Sequence, residues 1–366
     1  MLLFLGGDLM TGRGIDQVLP APCDPTLHED FVRDARVYVE LAERASGPIA
    51  RPRPPADPWG DLAGELDQAG PDARIVNLET SITRNDDFWP GKAVHYRMSP
   101  ENAACLTAGR LDVCALANNH VLDWGRAGLD DTIATLDRLA IGHAGAGRDH
   151  TAADAPAIVD LGARGRVLVF AVGSPTAGVP PAWADDDHHS GVALLPDLTM
   201  DRVRALGRHI AAVRRARDVV VLSIHWGPNW GYDIDAAERR FAAALIDEAG
   251  VDVVHGHSSH HVKGIEVHRG RPILYGCGEL LDDYEGIRGY EEYRADLGLA
   301  YLVTMTAAPA HLERLTMIPI RIRSLRITRA GRTAARWLRD VLSREGRPLG
   351  TRAELGPDGR LELRWT

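Results

Sequence analysis

The chain has 366 residues, of which 45% are apolar and 25% are charged, and its formal net charge at pH 7 is -9. This composition is typical of a globular protein with one large hydrophobic core or two smaller ones, and it excludes a fibrous or disordered polypeptide. The acidic total, without interleaved basic and aromatic residues, argues against binding to nucleic acid.

Signals for export, membrane insertion and disulfide formation are weak in this sequence. The apolar stretch at residues 2–5 is too short for a signal peptide, and no basic residue precedes it. No other stretch approaches the roughly 20 apolar residues of a membrane-spanning helix. The cysteines form no C-x-x-C pair, so disulfides and a thiolate zinc site are not expected. We therefore expect a cytoplasmic protein without a membrane span.

Short apolar runs bounded by glycine, asparagine or aspartate predict buried strands at residues 2–5, 75–76, 113–116, 167–172, 219–224, 251–254 and 273–275. Apolar residues at helical spacing predict helices over 31–44, 128–139, 203–216 and 237–248. This alternation favours an α/β fold built from strand–helix–strand units with parallel pairing. Residues 300–327 resemble strands without an intervening helix, which predicts a second, partly antiparallel sheet.

The C-terminal part of the chain is rich in arginine. Residues 321–366 hold twelve arginines and five acidic residues, a local charge of +7 that leaves the first 320 residues at -16. Such a region can attract an anionic partner, but arginines spaced along amphipathic segments usually form a solvated face, and we favour this interpretation. A helix near 333–344 and a hairpin turning at 356–359 predict an extension of residues 326–366, packed on a main domain of residues 1–325.

Polar side chains follow several predicted strands directly, at the point where each strand ends. These residues are Asp8, Glu79, Asn118, Asn119, His120, His225, His257 and His260. The carboxyl ends of strands in an open α/β sheet converge on one crevice, so side chains dispersed along the sequence can meet there. Their carboxylate, amide and imidazole groups suit manganese, iron or zinc. The pattern predicts a dinuclear metal centre, and with it an enzyme.

Each of these residues taken singly has a plainer interpretation. Gly-Asp begins many ordinary turns, and Glu79 alone is more simply a surface charge or an acid in the first turn of a helix. A single histidine is more often a hydrogen-bonded polar residue than a ligand. The run that contains His255, His257, His260 and His261 is too dense for every member to be a ligand. Within it we favour His257 and His260.

Two further residues have candidate roles beside the predicted ligands. Asp123 lies three residues after His120 and can orient its imidazole, as carboxylates behind a catalytic or ligating histidine commonly do. Arg13 follows Asp8 closely and can clamp phosphate oxygens in a bidentate manner, although a surface turn explains it equally well. The polar and aromatic stretch at residues 282–290 suits substrate recognition or a solvated loop.

Five motifs, in chain order, resemble the CapA family, the poly-γ-glutamate capsule biosynthesis proteins. They are Gly7-Asp8, Asn77-Leu78-Glu79, the segment 118–125 that begins Asn118-Asn119-His120, His225-Trp226-Gly227, and Gly256-His257-Ser258-Ser259-His260. The resemblance runs from residue 6 to about residue 280. It implies a four-layer α/β/β/α sandwich of the metallophosphoesterase type with mixed sheets, and two divalent metals between the inner sheet edges.

The resemblance also implies a role for each matching residue. The implied metal ligands are Asp8, Glu79, Asn119, His225, His257 and His260, with His120 as the general acid. The chain departs from the wider superfamily at Met10, where a histidine is usual, and in its last motif, whose histidines are three apart instead of two. The CapA-like branch shares these departures, and they weaken the transfer of phosphatase activity.

Three functions remain open at this point. One is a phosphoesterase in which a metal-activated water hydrolyses a phosphate ester and His120 protonates the leaving oxygen. Another is a soluble CapA-like biosynthesis enzyme, acting in poly-γ-glutamate, capsule or natural-product amide chemistry without phosphatase activity. The third is a metal-containing binding module without catalysis. For the two enzymes the expected substrate is a small-molecule or polymeric anion.

Overall fold

A computed structural model describes residues 1–366, which form two large β-sheets and two short strand pairs. The strands are β1 Leu2–Leu9, β2 Ala73–Leu78, β3 Ser81–Ile82, β4 Arg97–Met98, β5 Val113–Ala115, β6 Gly142–Ala144, β7 Ala146–Gly147, β8 Ala157–Asp160, β9 Arg166–Gly173, β10 Gly191–Val192, β11 Val219–His225, β12 Val253–His257, β13 Ile265–His268, β14 Arg271–Leu274, β15 Glu279–Leu281, β16 Leu297–Ala307, β17 Ala310–Ile322, β18 Ile327–Arg329, β19 Thr351–Leu355 and β20 Leu361–Trp365.

The helices connect strands within each sheet. They are α1 Arg13–Val18, α2 Arg36–Ser46, α3 Gly60–Ala69, α4 Ala104–Ala108, α5 Gly125–Arg138, α6 His150–Asp154, α7 Met200–Val213, α8 Ala236–Ala244 and α9 Arg332–Gly346. A π-helical turn, Leu245–Ala249, continues α8. None of the helices combines the length and the apolar composition that crossing a membrane requires.

Both large sheets mix parallel and antiparallel pairing. The first has the order β19-β20-β17-β16-β1-β2-β5-β6, with β15 paired to β1 and β18 to β17. Its strands β1, β2, β5 and β6 are parallel, whereas β16 and β17 are antiparallel to their neighbours. The second has the order β13-β14-β12-β11-β9-β8, with a parallel centre and an antiparallel strand at each edge.

Three hydrophobic clusters divide the molecule into four layers. Side chains alternate along each strand, so Leu3 of β1 and Val221 of β11 belong to one cluster between the two sheets. Phe4, on the opposite face of β1, belongs to a cluster with helices α1 to α5. Leu222, on the opposite face of β11, belongs to a cluster with α7 and α8. The implied α/β/β/α sandwich with mixed sheets is therefore confirmed.

The strands and helices that the sequence predicts are present, with three corrections. Residues 300–327 do not build a second sheet, because β16 pairs antiparallel with β1 and so extends the first. The helix predicted from residue 31 begins at Arg36, since Thr26 pairs with Asp34 in an isolated β-bridge before it. The strand predicted at 251–254 runs over Val253–His257, so His255 and His257 lie within it.

The predicted C-terminal helix and hairpin are α9, β19 and β20. Strand β20 pairs with β17, and α9 contributes Leu338 and Val341 to the cluster between the sheets. Arg329 and Arg360 both pair with Glu65 of α3, so part of the arginine-rich face is neutralised by the first helical layer. The division of the chain after residue 325 stays a prediction, and it falls between β17 and β18, which pair with each other.

Candidate metal centre

Asp8 lies near the end of β1, where this strand contacts β2 on one side and β15 on the other. The strands approach closely there, because a Cβ atom on Gly7 would lie 1.7 Å from the carbonyl oxygen of Gly278. The Asp8 carboxylate is buried, and it accepts hydrogen bonds from Asn77 Nδ2 at 2.7 Å and from the Ser258 amide at 3.1 Å. Burial raises the pKa of Asp8 to about 7.

Two histidines face Asp8 from the second sheet. His225 ends β11 and His257 ends the neighbouring β12, and the two residues are in register. Their Nδ1 atoms are 2.8 Å apart, and His257 Nδ1 lies 3.8 Å from Asp8 Oδ1. Burial lowers the pKa of both imidazoles well below the usual value, which keeps them neutral and able to donate a lone pair to a metal. We call Asp8, His225 and His257 the imidazole position; their donor atoms lie within 4.8 Å of one another.

Asp8 also belongs to a second group of donors. Glu79 directly follows β2, and Glu279 begins β15, so both carboxylates are carried to Asp8 by the strands that flank β1. Each of these three residues offers an oxygen within 4.8 Å of the others. Burial raises the pKa of Glu79 and of Glu279, and the negative charge of Asp8 adds to the shift of both. We call Asp8, Glu79 and Glu279 the carboxylate position.

The predicted ligand His260 contacts the second group through Glu279. Its Nδ1 atom is hydrogen-bonded to Glu279 Oε1, and its Nε2 atom lies 2.8 Å from Asn229 Nδ2. The chain turns away from β12 at Ser258, whose φ is 100°, and this turn separates His260 from His257. The structure therefore places His260 beside the carboxylate position instead of beside His225 and His257.

The two other histidines of this run have partners outside both donor groups. His255 Nε2 lies 2.8 Å from the Gly6 carbonyl oxygen, and its Nδ1 lies 3.1 Å from Ser223 Oγ. The His261 ring stacks on Tyr293. Neither His255 nor His261 belongs to a donor group with Asp8.

The asparagines after β5 differ in their contacts. Asn118 donates to the Asn77 side-chain oxygen at 3.0 Å and to the Leu78 carbonyl at 2.8 Å, so it holds the segment that leads to Glu79. Asn119 Oδ1 lies 3.0 Å from His225 Nε2, at the edge of the imidazole position. The amide oxygen of Asn119 is thus the one placed to reach a metal there.

His120 is held on one side by a carboxylate and on one face by an aromatic ring. Its Nδ1 atom lies 2.6 Å from Asp123 Oδ2, and its ring stacks on Tyr96 at 3.8 Å. Its Nε2 atom is directed toward Glu79, 3.8 Å from Oε1. Burial lowers the pKa of His120 well below its usual value, and the nearby ammonium group of Lys92 acts in the same direction.

Asp123 connects this imidazole to a lysine that sequence reasoning missed. Asp123 accepts hydrogen bonds from the Tyr96 amide at 2.6 Å and from Lys92 Nζ, which also donates to the Asn119 carbonyl. Burial raises the pKa of Asp123 to about 6, while the charge of Lys92 opposes this shift. Asp123 therefore fixes the orientation of His120, with Lys92 as its counter-ion.

Arg13 is buried and already paired. Its guanidinium group donates to both carboxylate oxygens of Asp283, to Glu29 at 3.1 Å and to the Tyr38 hydroxyl at 3.0 Å. The surface-turn interpretation of Arg13 is wrong, because the side chain is only 3% exposed. Its role as an anion clamp stays a prediction, and one N–H donor at most is left for it.

A cavity of about 830 Å³ opens beside the carboxylate position. His260, Asp282 and Arg13 line it on the side of the site, and aromatic side chains line much of the remainder: Phe31, Tyr38, Tyr96, Trp230, Tyr284 and Tyr290. The start of the stretch 282–290 is thus no solvated loop, since Asp282 and Asp283 are buried. Burial raises the pKa of Asp282 to about 8.

The donor set fits divalent metals. Its carboxylates and imidazoles are buried, its amide oxygen comes from the half-buried Asn119, and Glu279 Oε2 has no hydrogen-bond partner, which is costly unless a cation approaches it. Sequence reasoning missed Glu279, although it lies beyond the predicted strand at 273–275, in the same kind of junction as the other residues. The three residues between that run and Glu279, two of them glycines, obscured this signal.

Comparison with known proteins places this geometry in a family. The family described as "Bacterial capsule synthesis protein PGA_cap" matches residues 2–284. A Mycobacterium tuberculosis protein named "Probable polyglutamine synthesis accessory protein" is 45% identical over 362 residues, which cover 99% of this chain and 95% of that protein. The "PGA biosynthesis protein CapA" of Bacillus subtilis is 24% identical over 76% of this chain and 62% of its own length.

A further relative is the "Capsule biosynthesis protein CapA" of Bacillus anthracis, which is 27% identical over 52% of this chain and 45% of its own length. The family match spans every motif from Asp8 to Glu279, and therefore both donor groups. The chain belongs to the PGA_cap family of bacterial capsule synthesis proteins, the CapA family, within the metallophosphoesterase-like superfamily.

Proposed function

We propose that this protein is a metal-dependent accessory enzyme of poly-glutamate synthesis that acts on a glutamyl amide bond. One observation carries the proposal: Asp8 is shared by two buried donor groups, in a chain that is similar over its whole length to a protein named for polyglutamine synthesis. The donor groups support metal-dependent chemistry, and the relatives supply the class of polymer. The four cysteines are free, which supports a reducing compartment, and we propose the cytoplasm.

We propose two divalent metals, manganese, iron or zinc, held by Asp8, Glu79, Asn119, His225 and His257, with His260 acting through Glu279. When bound, such ions supply Lewis-acid activation of water and of a carbonyl or phosphoryl oxygen. The surrounding side chains supply the proton transfers. Hydrolysis of an amide adds the water oxygen to the carbonyl carbon and releases an amine, which must gain a proton.

His120 is the residue that we propose for this proton transfer. Its Nδ1 atom is engaged by Asp123 at 2.6 Å, so Nε2 is the atom that faces the site. Because burial keeps the imidazole neutral, Nε2 can accept the proton that water loses and return it to the leaving amine. Asp123 and Lys92 act on this step by holding the ring in place.

Phosphoester hydrolysis is the second candidate. The membership in the metallophosphoesterase-like superfamily and the shared Asp8 favour it, because ions held by both donor groups would supply electrostatic stabilisation for phosphoryl transfer. In that case His120 protonates a leaving alkoxide instead of an amine, so the same residues serve both candidates. Only the substrate distinguishes them.

The test is to supply metal-free protein with manganese, iron or zinc and to offer two substrate classes, γ-linked glutamate oligomers and aryl phosphate mono- and diesters. We expect cleavage of the oligomers, detected as new amines by mass spectrometry. His120→Ala should lower the rate by at least about 100-fold, since proton transfer alone contributes that much. Asp8→Asn should abolish metal-dependent cleavage, because Asp8 belongs to both donor groups. Asp187→Asn is the matched control and should retain the rate, because Asp187 is exposed and belongs to neither donor group.

The outcomes separate the candidates. Hydrolysis of aryl phosphates that depends on Asp8 and His120, with oligomers left intact, would contradict the amide proposal and support the phosphoesterase. Failure on both classes by metal-loaded protein would contradict both candidates and favour a binding role.

A further inference from the structure

We infer that the two halves of the site select different metals, and that Glu279 is the ligand that makes the difference. The imidazole position takes zinc or iron, whereas the carboxylate position takes a harder ion such as manganese or magnesium. This inference deepens the proposed function and rests on it for the presence of bound metal. It adds Glu279 to the proposed metal ligands, and it assigns a different ion to each of the two positions.

The two positions differ in donor chemistry while sharing one residue. Apart from Asp8, the imidazole position offers two ring nitrogens, from His225 and His257, and the carboxylate position offers only oxygens, from Glu79 and Glu279. Imidazole suits zinc and iron, whereas carboxylate oxygen suits manganese, magnesium and calcium. Asp8 can serve both positions because its two oxygens face different neighbours, Asn77 and Ser258.

Buried carboxylates gather at the carboxylate position without a free cationic side chain to pair with them. Asp8, Glu79, Glu279 and Asp282 are all less than 4% exposed. The nearby cations are already paired, since Lys92 contacts Asp123 and Arg13 contacts both Asp283 and Glu29. In their ionised form, buried carboxylates in this number need a cation from outside the chain.

Unpartnered oxygens mark the place where that cation would bind. Glu279 uses Oε1 for His260 and leaves Oε2 without any hydrogen-bond partner. Asp282, whose charge is the largest electrostatic influence on Glu279, likewise leaves Oδ2 without a partner. Buried acceptors are nearly always satisfied in folded proteins, so two unsatisfied carboxylate oxygens beside one donor group indicate a ligand.

The carboxylate position is the one connected to the cavity, through His260. His260, which is hydrogen-bonded to Glu279, and Asp282 line the cavity, whereas no member of either donor group does. A substrate in the cavity therefore approaches the carboxylate position past His260 and Asp282. Carboxylate groups of a glutamate polymer are hard oxygen ligands themselves and suit the hard ion of that position better than an imidazole-bound one.

The experiment is a metal titration of the full-length, metal-free protein. Manganese binding is followed by loss of the electron paramagnetic resonance signal of the free ion, and zinc binding by competition with a chromogenic chelator. We expect one zinc and one manganese per chain. Glu279→Gln should retain zinc and weaken manganese by more than the roughly 100-fold that loss of an outer-shell partner costs. His257→Gln should show the opposite pattern.

The reciprocal pair of variants guards against misfolding, because a variant that has lost its fold would lose both metals. Glu266→Gln on β13, a partly buried carboxylate outside both donor groups, is the matched control and should bind both ions as wild type does. Unchanged manganese affinity in Glu279→Gln, equal loss of both ions in both variants, or no manganese binding by wild type would each overturn the inference. An intact metal pattern without glutamyl cleavage would contradict only the proposed function.

Discussion

At the scale of single residues, the site is organised by what each carboxylate contacts. Asp123 has three partners, His120, Lys92 and the Tyr96 amide, and so serves as a fixed support. Glu279 has one partner and a free oxygen, and so remains available. Two buried carboxylates of the same chemistry thus have different tasks because their surroundings satisfy them to different degrees.

Asp123→Asn should lower kcat by about 10- to 100-fold, which is the usual effect of removing a residue behind a catalytic or ligating one. The amide cannot act as the charged acceptor for both Lys92 and His120 Nδ1, so the ring loses its fixed orientation. The measurement is steady-state kinetics with metal content determined in parallel.

Metal content should stay at the wild-type level in this variant, because Asp123 belongs to neither donor group. Asp137→Asn, near the exposed end of α5, is the control and should leave kcat unchanged. A loss of metal equal to the loss of rate would contradict the orienting role of Asp123.

At the scale of secondary-structure elements, the site depends on how closely β1 and β15 approach each other. This contact fixes the positions of Asp8 and Glu279, because they lie opposite each other in the parallel pair of β1 and β15. The approach requires glycine at position 7, where a Cβ atom would lie 1.7 Å from a backbone oxygen of Gly278. The two carboxylates thus meet because one strand pair lacks side-chain bulk at one point.

Gly7→Ala should therefore destabilise the fold by about 1–3 kcal/mol or more, as overpacking of a buried site does. It should also weaken metal binding, because Asp8 must shift away from Glu279. The measurement is urea unfolding of metal-free protein together with a manganese titration.

Gly64→Ala is the matched control. Gly64 lies in α3, where a Cβ atom would meet nothing within 4 Å. Alanine is the better helix former, so this variant should gain up to about 1 kcal/mol and keep its metal affinity. Equal stability of the two variants would show that β1 and β15 can separate without cost.

At the scale of the whole molecule, buried ionisable groups couple the site to the stability of the fold. Burial raises the pKa of Asp8 to about 7 and of Asp282 to about 8, and it lowers the pKa of His255 to about 4. Raised carboxylate pKa values favour folding at low pH, and that contribution is lost as pH rises through the folded pKa. A lowered histidine pKa favours folding above about 6.5 and is lost as pH falls toward the folded value.

Between pH 6.5 and pH 8 Asp8 and Asp282 titrate, and His150, whose pKa the Asp154 carboxylate raises, acts in the same direction, so metal-free protein should lose stability as pH rises through this window. The loss should be on the order of 1–2 kcal/mol. Bound metal favours the deprotonated carboxylates, so its stabilising effect should grow over the same window. Urea unfolding with a chelator and with manganese, at both ends of the window, checks this; a chelated protein that gains stability with pH would contradict it.

Much of the architecture and most of the site follow from sequence pattern alone. The apolar runs with polar residues at their ends predict the parallel strands, and their order predicts that Asp8, Glu79, Asn119, His225 and His257 converge. Parallel neighbours end at the same edge of a sheet, which brings Asp8, Glu79 and Asn119 together on the first sheet and His225 and His257 together on the second. The meeting of the two sets follows from the four-layer sandwich that the resemblance implies. Pairing between distant strands has no such local signal, so the place of β16 beside β1 was not predictable.

Only the tertiary structure decided which neighbours each polar group has. Glu279 joins the site, His260 contacts it through Glu279, Lys92 balances Asp123, and Arg13 is paired before any ligand arrives. Residue type and spacing determine which groups can bind a metal or move a proton. Whether a carboxylate is satisfied or free depends on contacts between residues far apart in the chain, because burial and partners, not identity, set its charge and availability.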